Sequence, residues 1–291
     1  GSQIECLKVF NTFTPPSGGT NERPSKPKPG QLYYNYDFKT IEFFDGYGWR
    51  QVDYTTRSGR MVVGGGATPS HTNVMQLINI NTLGNSVHFG DLVSGRGNIS
   101  SCSSSVRGIW SGGATGNYQN GIDYVTIASS GNALNFGYLS TANRAYIGAT
   151  SSSTRGIFGG GYQSSPLPAS TVNIIDYIEM STTGNALDFG DLFSGRYSAG
   201  AVSNGIRAVW AGGNTPDKST IDFVTISSKG NSVFFGDLTY ARKNAAGASF
   251  SSNVRGVFGG GRHPTVVGEI DYITIASEGN AIYFGDLSVT R

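Results

Sequence analysis

The sequence predicts an all-β fold in which one small antiparallel sheet is repeated along the chain. Three observations predict it. Glycine fills 43 of 291 positions and aromatic residues make up 12%, a balance that favours short strands and tight turns over helices. Three landmarks recur five times in the same order. The copies are 47, 48, 52 and 48 residues apart, the length of four short strands with their turns.

The first landmark is Arg-Gly-aliphatic-aromatic-x-Gly-Gly or a close variant. It reads RMVVGGG from Arg60, RGIWSGG from Arg107, RGIFGGG from Arg155, RAVWAGG from Arg207 and RGVFGGG from Arg255. The second is a hydrophobic-Asp-aromatic run with Asp123, Asp176, Asp222 and Asp271 at its acidic position. The first copy has Gln76 there. The third is Gly-Asn followed by Phe-Gly-Asp-Leu or a close variant. Its asparagines, Asn85, Asn132, Asn185, Asn231 and Asn280, each fall nine residues beyond the acidic position.

Each copy reads as four strands. In the last copy, 255–261 is a β-branched and aromatic strand that ends in glycines, and 270–275 alternates at period two like a half-buried strand. Ser277-Glu278-Gly279-Asn280 is a hairpin turn, because glycine and asparagine tolerate positive φ. Residues 281–287 form the next strand, with Phe284 and Leu287 as packing groups. Small-residue stretches between units, such as 198–203 and 245–251, supply the fourth strand. A lone four-stranded sheet exposes two faces and two edges. Sheets stacked face to face around an axis cover both, and paired glycines let backbones approach closely near that axis. A solenoid would need a polar terminal cap, which the last copy does not supply.

Over roughly 60–291 the landmarks resemble kelch repeats: a double glycine after an aliphatic strand, a tyrosine beside an acidic residue, a downstream aromatic and a closing arginine. Phe89, Phe136, Phe189, Phe235 and Phe284 stand where kelch units usually place tryptophan, so the unit is divergent. The resemblance implies a kelch-like β-propeller of five four-stranded blades, or six with a degenerate N-terminal blade. Repeats of the form RGVFGGG…IDYITI…GNAIYFGDL also look like those in structural and tail-fibre proteins of marine tailed bacteriophages, cyanophages among them.

Three regions are expected. Residues 1–29 form an N-terminal segment and linker, the proline-rich stretch 14–30 reading as disordered or extended. Residues 30–51 form a small β-hairpin module ending near Trp49, similar to the GxLYYN hairpins of phage fibres. Residues 52–291 form the propeller. In the five-blade reading, 52–56 is the innermost strand of blade one. In the six-blade reading, 4–10 joins the hairpin as a blade.

Net charge is only +2, too small to indicate a nucleic-acid or anionic-membrane partner. No apolar run approaches 18 residues, and 1–30 has no signal-peptide stretch, so membrane insertion is not expected. Cys6 and Cys102 match no metal or disulfide framework. His71, His88 and His263 fall at unrelated repeat positions, and no aspartate differs from its copies as a paired catalytic carboxylate would. No phosphate loop is present, since no helix follows the glycines. No enzyme activity and no cofactor or metal are therefore expected.

Ten of fourteen arginines occupy repeat positions. Arg60, Arg107, Arg155, Arg207 and Arg255 open the glycine strand; Arg96, Arg144, Arg196, Arg242 and Arg291 follow the Phe-Gly strand. A charge present in every unit answers a need of every unit, namely strand-end and inter-sheet hydrogen bonding. An anion-collecting ring of arginines is the other reading.

Variation concentrates instead in the loops between the first two landmarks: 67–73, 114–121, 162–173, 214–220 and 262–269. Variable loops on one face of a constant frame suit recognition. Tyr118, Asn120, Tyr162, Asp217, Lys218, Arg262 and His263 are the candidate ligand-binding side chains, fit to stack on a sugar or bond its hydroxyls. Three functions follow. One is a virion or tail-fibre propeller contacting a host-surface glycan or protein, or other virion proteins, and acting outside the cell. The second is a lectin-like glycan-binding propeller. The third is a kelch-type protein-interaction scaffold.

Overall fold

The computed structural model describes residues 14–37, 40–52, 59–67, 69–81, 84–140, 143–164, 169–243 and 249–290. The chain divides into two compact units, Gly1–Ser58 and Gly59–Arg291. Cys6, Arg291 and the expected 4–10 strand lie outside the described residues.

In the first unit the proline-rich stretch is not simply a linker. Ser17–Gly18 runs parallel to Leu32–Asn35, which pairs antiparallel with Thr40–Phe44, and Trp49–Val52 completes the sheet. The lead is held by an anchor that its proline content hides. Arg23 makes two hydrogen bonds to the buried Glu42 carboxylate, Nε to Oε2 at 2.8 Å and Nη2 to Oε1 at 2.6 Å. Asn35 Nδ2 donates to the same carboxylate at 3.0 Å. Val52 therefore belongs to this sheet, whereas it was expected to start the innermost strand of blade one; 53–56 lie outside the described residues.

The second unit holds five copies of one sheet. The Arg strands are Arg60–Gly64, Arg107–Ser111, Arg155–Gly159, Arg207–Ala211 and Arg255–Gly259. Each pairs with an Asp strand: Val74–Asn79, Gly121–Thr126, Ile174–Glu179, Thr220–Thr225 or Glu269–Thr274. Beyond these lie the Phe strands Val87–Asp91, Leu134–Tyr138, Leu187–Asp191, Val233–Asp237 and Ile282–Asp286. Repeats two to five add a lead strand on the other side of the Arg strand, Ser100–Ser103, Gly148–Ser151, Gly200–Ser203 and Ser249–Ser251.

The Phe-Gly pair has a local cause. In all five repeats the register between Asp and Phe strands slips so that the phenylalanine has no partner across the ladder. A bulge of this kind bends the strand and re-aims a side chain. Here it turns Phe89, Phe136, Phe189 and Phe235 into the next repeat, and all four are buried.

The Gly-Asn turn fills the space each bulge creates. In the second repeat Gly131 N and Ala133 N donate to Phe89 O and Asp91 O of the first, both at 2.8 Å. Asn132 Oδ1 accepts from Asp91 N at 3.0 Å. The same three bonds recur with Gly184, Asn185 and Ala186, with Gly230, Asn231 and Ser232, and with Gly279, Asn280 and Ala281. Four apolar clusters result, each shared by two consecutive repeats. Burial thus happens between repeats rather than within them, which is why a single sheet could not stand alone.

Lead strands of neighbouring repeats also lie together. Ser151 Oγ donates to Ser103 O at 2.8 Å, Ser203 Oγ to Ser151 O at 2.6 Å and Ser249 Oγ to Ala201 O at 3.2 Å. Small side chains permit this approach. Residues of repeats two to five jointly line one cavity at one end of these strands and a serine-rich depression at the other.

The two end repeats differ from the rest. Phe284 is 58% exposed, against 2–3% for its four counterparts. The sequence expectation that Phe284 is a packing group is corrected here: among the described residues no Gly-Asn turn docks on its strand. A Cβ at Gly285 would meet open space, whereas one at Gly90, Gly137, Gly190 or Gly236 would run into the glycine carbonyl of a docked turn. Among the same described residues Gly84, in the first repeat's own turn, makes none of the cross-repeat bonds that its four counterparts make. The unit therefore carries one unfilled bulge and one undocked turn.

Candidate functional site

Both recurring arginines act across the repeat boundary. Arg96, Arg144, Arg196 and Arg242, each at the end of one repeat, are buried and reach the aspartate of the next. Arg96 Nη2 lies 2.6 Å from Asp123 Oδ2, Arg196 Nη2 2.7 Å from Asp222 Oδ1 and Arg242 Nη2 3.0 Å from Asp271 Oδ2. Arg144 pairs with Asp176 in the same way. Each guanidinium also donates to strand-end carbonyls, as Arg196 Nη1 does to Thr220 O at 2.8 Å and Gly212 O at 3.1 Å. Burial pushes the Asp176 and Asp222 carboxyls upward against the pull of their arginines. Close charge pairing with several hydrogen bonds is what makes such buried ions tolerable.

The other arginines stack and reach. Arg107, Arg155 and Arg207 lie over Tyr124, Tyr177 and Phe223 of their own sheets at 4.8, 4.9 and 4.3 Å. Their Nη1 atoms donate to Met180, Ile226 and Ile275 carbonyls of the following repeat at 2.9, 3.0 and 3.3 Å. These side chains are spoken for by the frame, and no described arginine of either set stands in an anion-collecting ring.

Backbone bonds bring the variable loops together with the repeat ends. Gly66, Gly113, Gly161 and Gly213 amides donate to the carbonyls of Arg96, Arg144, Arg196 and Arg242 at 2.9–3.0 Å. The next repeat's loop joins them, as Ala114, Asn214 and Arg262 amides donate to the carbonyls of Gly97, Tyr197 and Lys243 at 2.9, 3.0 and 3.0 Å. Residues of different repeats therefore meet on this face, and the candidate side chains fall into two groups.

Tyr118 and Tyr162 meet edge to face at 6.0 Å between ring centroids. Tyr162 meets Tyr197 at 5.4 Å, and Tyr197 meets Tyr146 at 5.7 Å. All four rings are half-buried. The row is supported from below: Tyr162–Gln163 and Ser170–Thr171 form a small sheet with Arg144–Ala145. The 162–173 loop is thus structured at both ends rather than a freely variable excursion, with 165–168 outside the described residues. Asn98 Nδ2 donates to the Tyr146 hydroxyl at 3.0 Å, and Asn214 Nδ2 to the Tyr197 hydroxyl at 2.7 Å. Burial, with the other tyrosines nearby, raises the Tyr118 hydroxyl above its ordinary value and keeps it a proton donor.

The second group is ionic. Asp217 Oδ2 lies 2.9 Å from His263 Nδ1, and its Oδ1 lies 3.8 Å from Lys243 Nζ. This carboxylate joins the fourth and fifth repeats at the surface. Arg262 is turned back on its own loop, its Nε donating to Pro264 O at 3.0 Å. Lys218 has its ammonium pushed below the ordinary value by burial and by Arg196. Asn120 serves through its backbone, its carbonyl accepting from Leu139 N at 2.8 Å.

Tyr146, Tyr197, Asn98 and Asn214 join the site without having been singled out from sequence. Tyr146 and Tyr197 do carry a signal, as rings where other copies have Asn98 and Ser198 in the one case and Gly97, Ala145 and Lys243 in the other. Cys102 is partly buried against the third repeat, and desolvation pushes its thiol up to about 12, so it offers no nucleophile. Among the described residues no three His, Cys, Asp or Glu side chains converge as a metal site. Among the same residues no helix is long and apolar enough to cross a membrane. No family model matches this chain, and no curated protein sequence matches it either.

Proposed function

We propose that this chain is a non-enzymatic attachment module, a kelch-like β-propeller of a tailed-phage tail fibre or virion whose variable loops contact the surface of a host cell. One observation carries the reading. The side chains common to every repeat are consumed by inter-repeat bonds, whereas the side chains that differ between repeats gather on one face as a tyrosine row and a small ionic group. A constant frame with a concentrated variable face is the division of labour of a binding protein. The paired Arg and Asp groups are oriented for each other and not toward an open cleft, which leaves the frame no acid, base or nucleophile to use on a substrate. Lead strands of repeats two to five that share one cavity support the propeller reading, and the uncovered Phe strand of the fifth repeat together with the undocked turn of the first leaves the ring open between those two repeats.

The reading is tested by mixing the fluorescently labelled chain with a panel of marine cyanobacterial and other bacterial cells. It predicts saturable binding to a subset of strains. Exchanging loop 214–220 for the sequence of 67–73, which removes Asn214, Asp217 and Lys218, is expected to weaken that binding at least tenfold. Binding to no strain, or equal binding to all with the exchange silent, would contradict it.

A further inference from the structure

Tyr146 stands in a backbone conformation that suits it poorly. Its φ is +58°, in the left-handed region, and the matching residues of neighbouring repeats are Asn98 at +53° and Ser198 at +56°. Backbone bonds confirm the equivalence, since Tyr146 N donates to Asn98 O and Ser198 N to Tyr146 O. The position demands left-handed backbone. Asparagine meets that demand through its short polar side chain, while a ring-bearing residue costs of order 1–2 kcal/mol there. All three copies share this backbone, so what sets Tyr146 apart is a large ring retained where a short polar side chain suffices, and that points to use of the side chain.

The surroundings indicate the use. Tyr146 and Asn98 line a cavity of about 520 Å³ at the end of the lead strands, with serine hydroxyls, alanines and isoleucines as its other walls. No charged side chain is among its described lining residues. The tyrosine row continues outward from Tyr146 through Tyr197 and Tyr162 to Tyr118, with interplanar angles of 57°, 70° and 76°. Successive rings thus offer faces in different directions. The asparagine amides occupy lone pairs of the Tyr146 and Tyr197 hydroxyls, which leaves both protons to donate outward. Tyrosine gives large, stiff, amphipathic contact at small entropic cost.

We propose that the Tyr146–Tyr197–Tyr162–Tyr118 row and the cavity beside it form a binding site for a neutral sugar residue. The apolar C–H face of a pyranose fits the ring faces, and its hydroxyls meet tyrosine, asparagine and serine donors and acceptors. An anionic sugar would be desolvated with no cation to receive it. The inference rests on the attachment reading above and names the ligand class of its site.

The test uses the whole chain and methyl glycosides of galactose, glucose and N-acetylglucosamine, with glucuronic acid as the charged control, followed by saturation-transfer NMR and titration. At least one neutral glycoside is expected to bind and glucuronic acid is not. Tyr146→Asn is expected to weaken binding at least tenfold while its Tm stays level or rises, because strain is relieved. Tyr162→Ser should weaken binding similarly from the other end of the row. Failure of all three neutral probes, or preference for the acid, overturns the proposal. So does a lower Tm with undiminished binding in Tyr146→Asn, since the ring would then be packing. Cell binding that survives Tyr146→Asn removes the sugar site and leaves the attachment reading standing; absence of cell binding with sugar binding intact does the reverse.

Discussion

Replacing Arg196 by methionine is expected to lower the unfolding free energy by roughly 3–5 kcal/mol, read from the shift of a urea denaturation midpoint. The side chain is buried and ends 2.7 Å from Asp222, which also accepts from Phe193 N at 3.0 Å and Ser232 Oγ at 2.7 Å. Methionine fills much of the same space but leaves a buried carboxylate without its cation, and leaves the Gly212 and Thr220 carbonyls without their donor. Loss of the partner charge dominates, because the desolvation of Asp222 is no longer offset. A double variant, Arg196→Met with Asp222→Asn, is expected to lose clearly less than the sum of the two single losses, since one change removes the charge that the other orphans. Additive losses would mean that the two side chains do not act as a pair.

The second large effect compares one substitution at two equivalent places. Gly137 and Gly285 hold the same position in the bulge, with φ of +157° and +155°. Alanine at either suffers the same backbone cost, of order 1–3 kcal/mol. Only at Gly137 does a Cβ also overlap the backbone of a docked turn, at the carbonyl of Gly184; at Gly285 it meets open space. Backbone cannot swing aside as a flexible side chain can, so Gly137→Ala should lose about 1–3 kcal/mol more than Gly285→Ala, or fail to fold. Equal losses in urea unfolding would show that the Gly184 turn does not sit where the structure puts it.

The repeat frame was legible because its cause is periodic. Arg96, Arg144, Arg196 and Arg242 recur in step with Asp123, Asp176, Asp222 and Asp271, and a need shared by every unit leaves that kind of trace. The same regularity concealed what the Gly-Asn turn does. Asn132 looked like a local turn residue, whereas its side chain caps the backbone of a strand 41 residues earlier. Phe284 reads like Phe89, but burial is conferred by the following repeat and cannot be seen in the residue itself. Nor does a proline count reveal that Arg23 grips a buried glutamate, tying Ser17–Gly18 to its sheet.

On the face of the variable loops the sequence pointed to Tyr118 and Tyr162 and left out Tyr146 and Tyr197. The variable loops were found because they vary. The other two rings sit in the stretch after the buried arginine, outside the loops between the first two landmarks, and only the fold brings residues 35 and 51 positions apart into one row. The ion pairs of Asp217 with His263 and Lys243 likewise depend on the fourth and fifth repeats lying side by side. Proximity of this origin has no signature in spacing.

Amide hydrogen exchange reaches the central claim most directly, that each repeat is completed by the turn of the next. Gly131, Gly184, Gly230 and Gly279 amides donate across a repeat boundary, as do those of Ala133, Ala186, Ser232 and Ala281. Their protection should approach that of the central strands, while the amides of Gly84 and Ser86, at the matching places in the undocked first turn, exchange orders of magnitude faster. Rapid exchange at the four docked turns, or equal protection in all five, would contradict it.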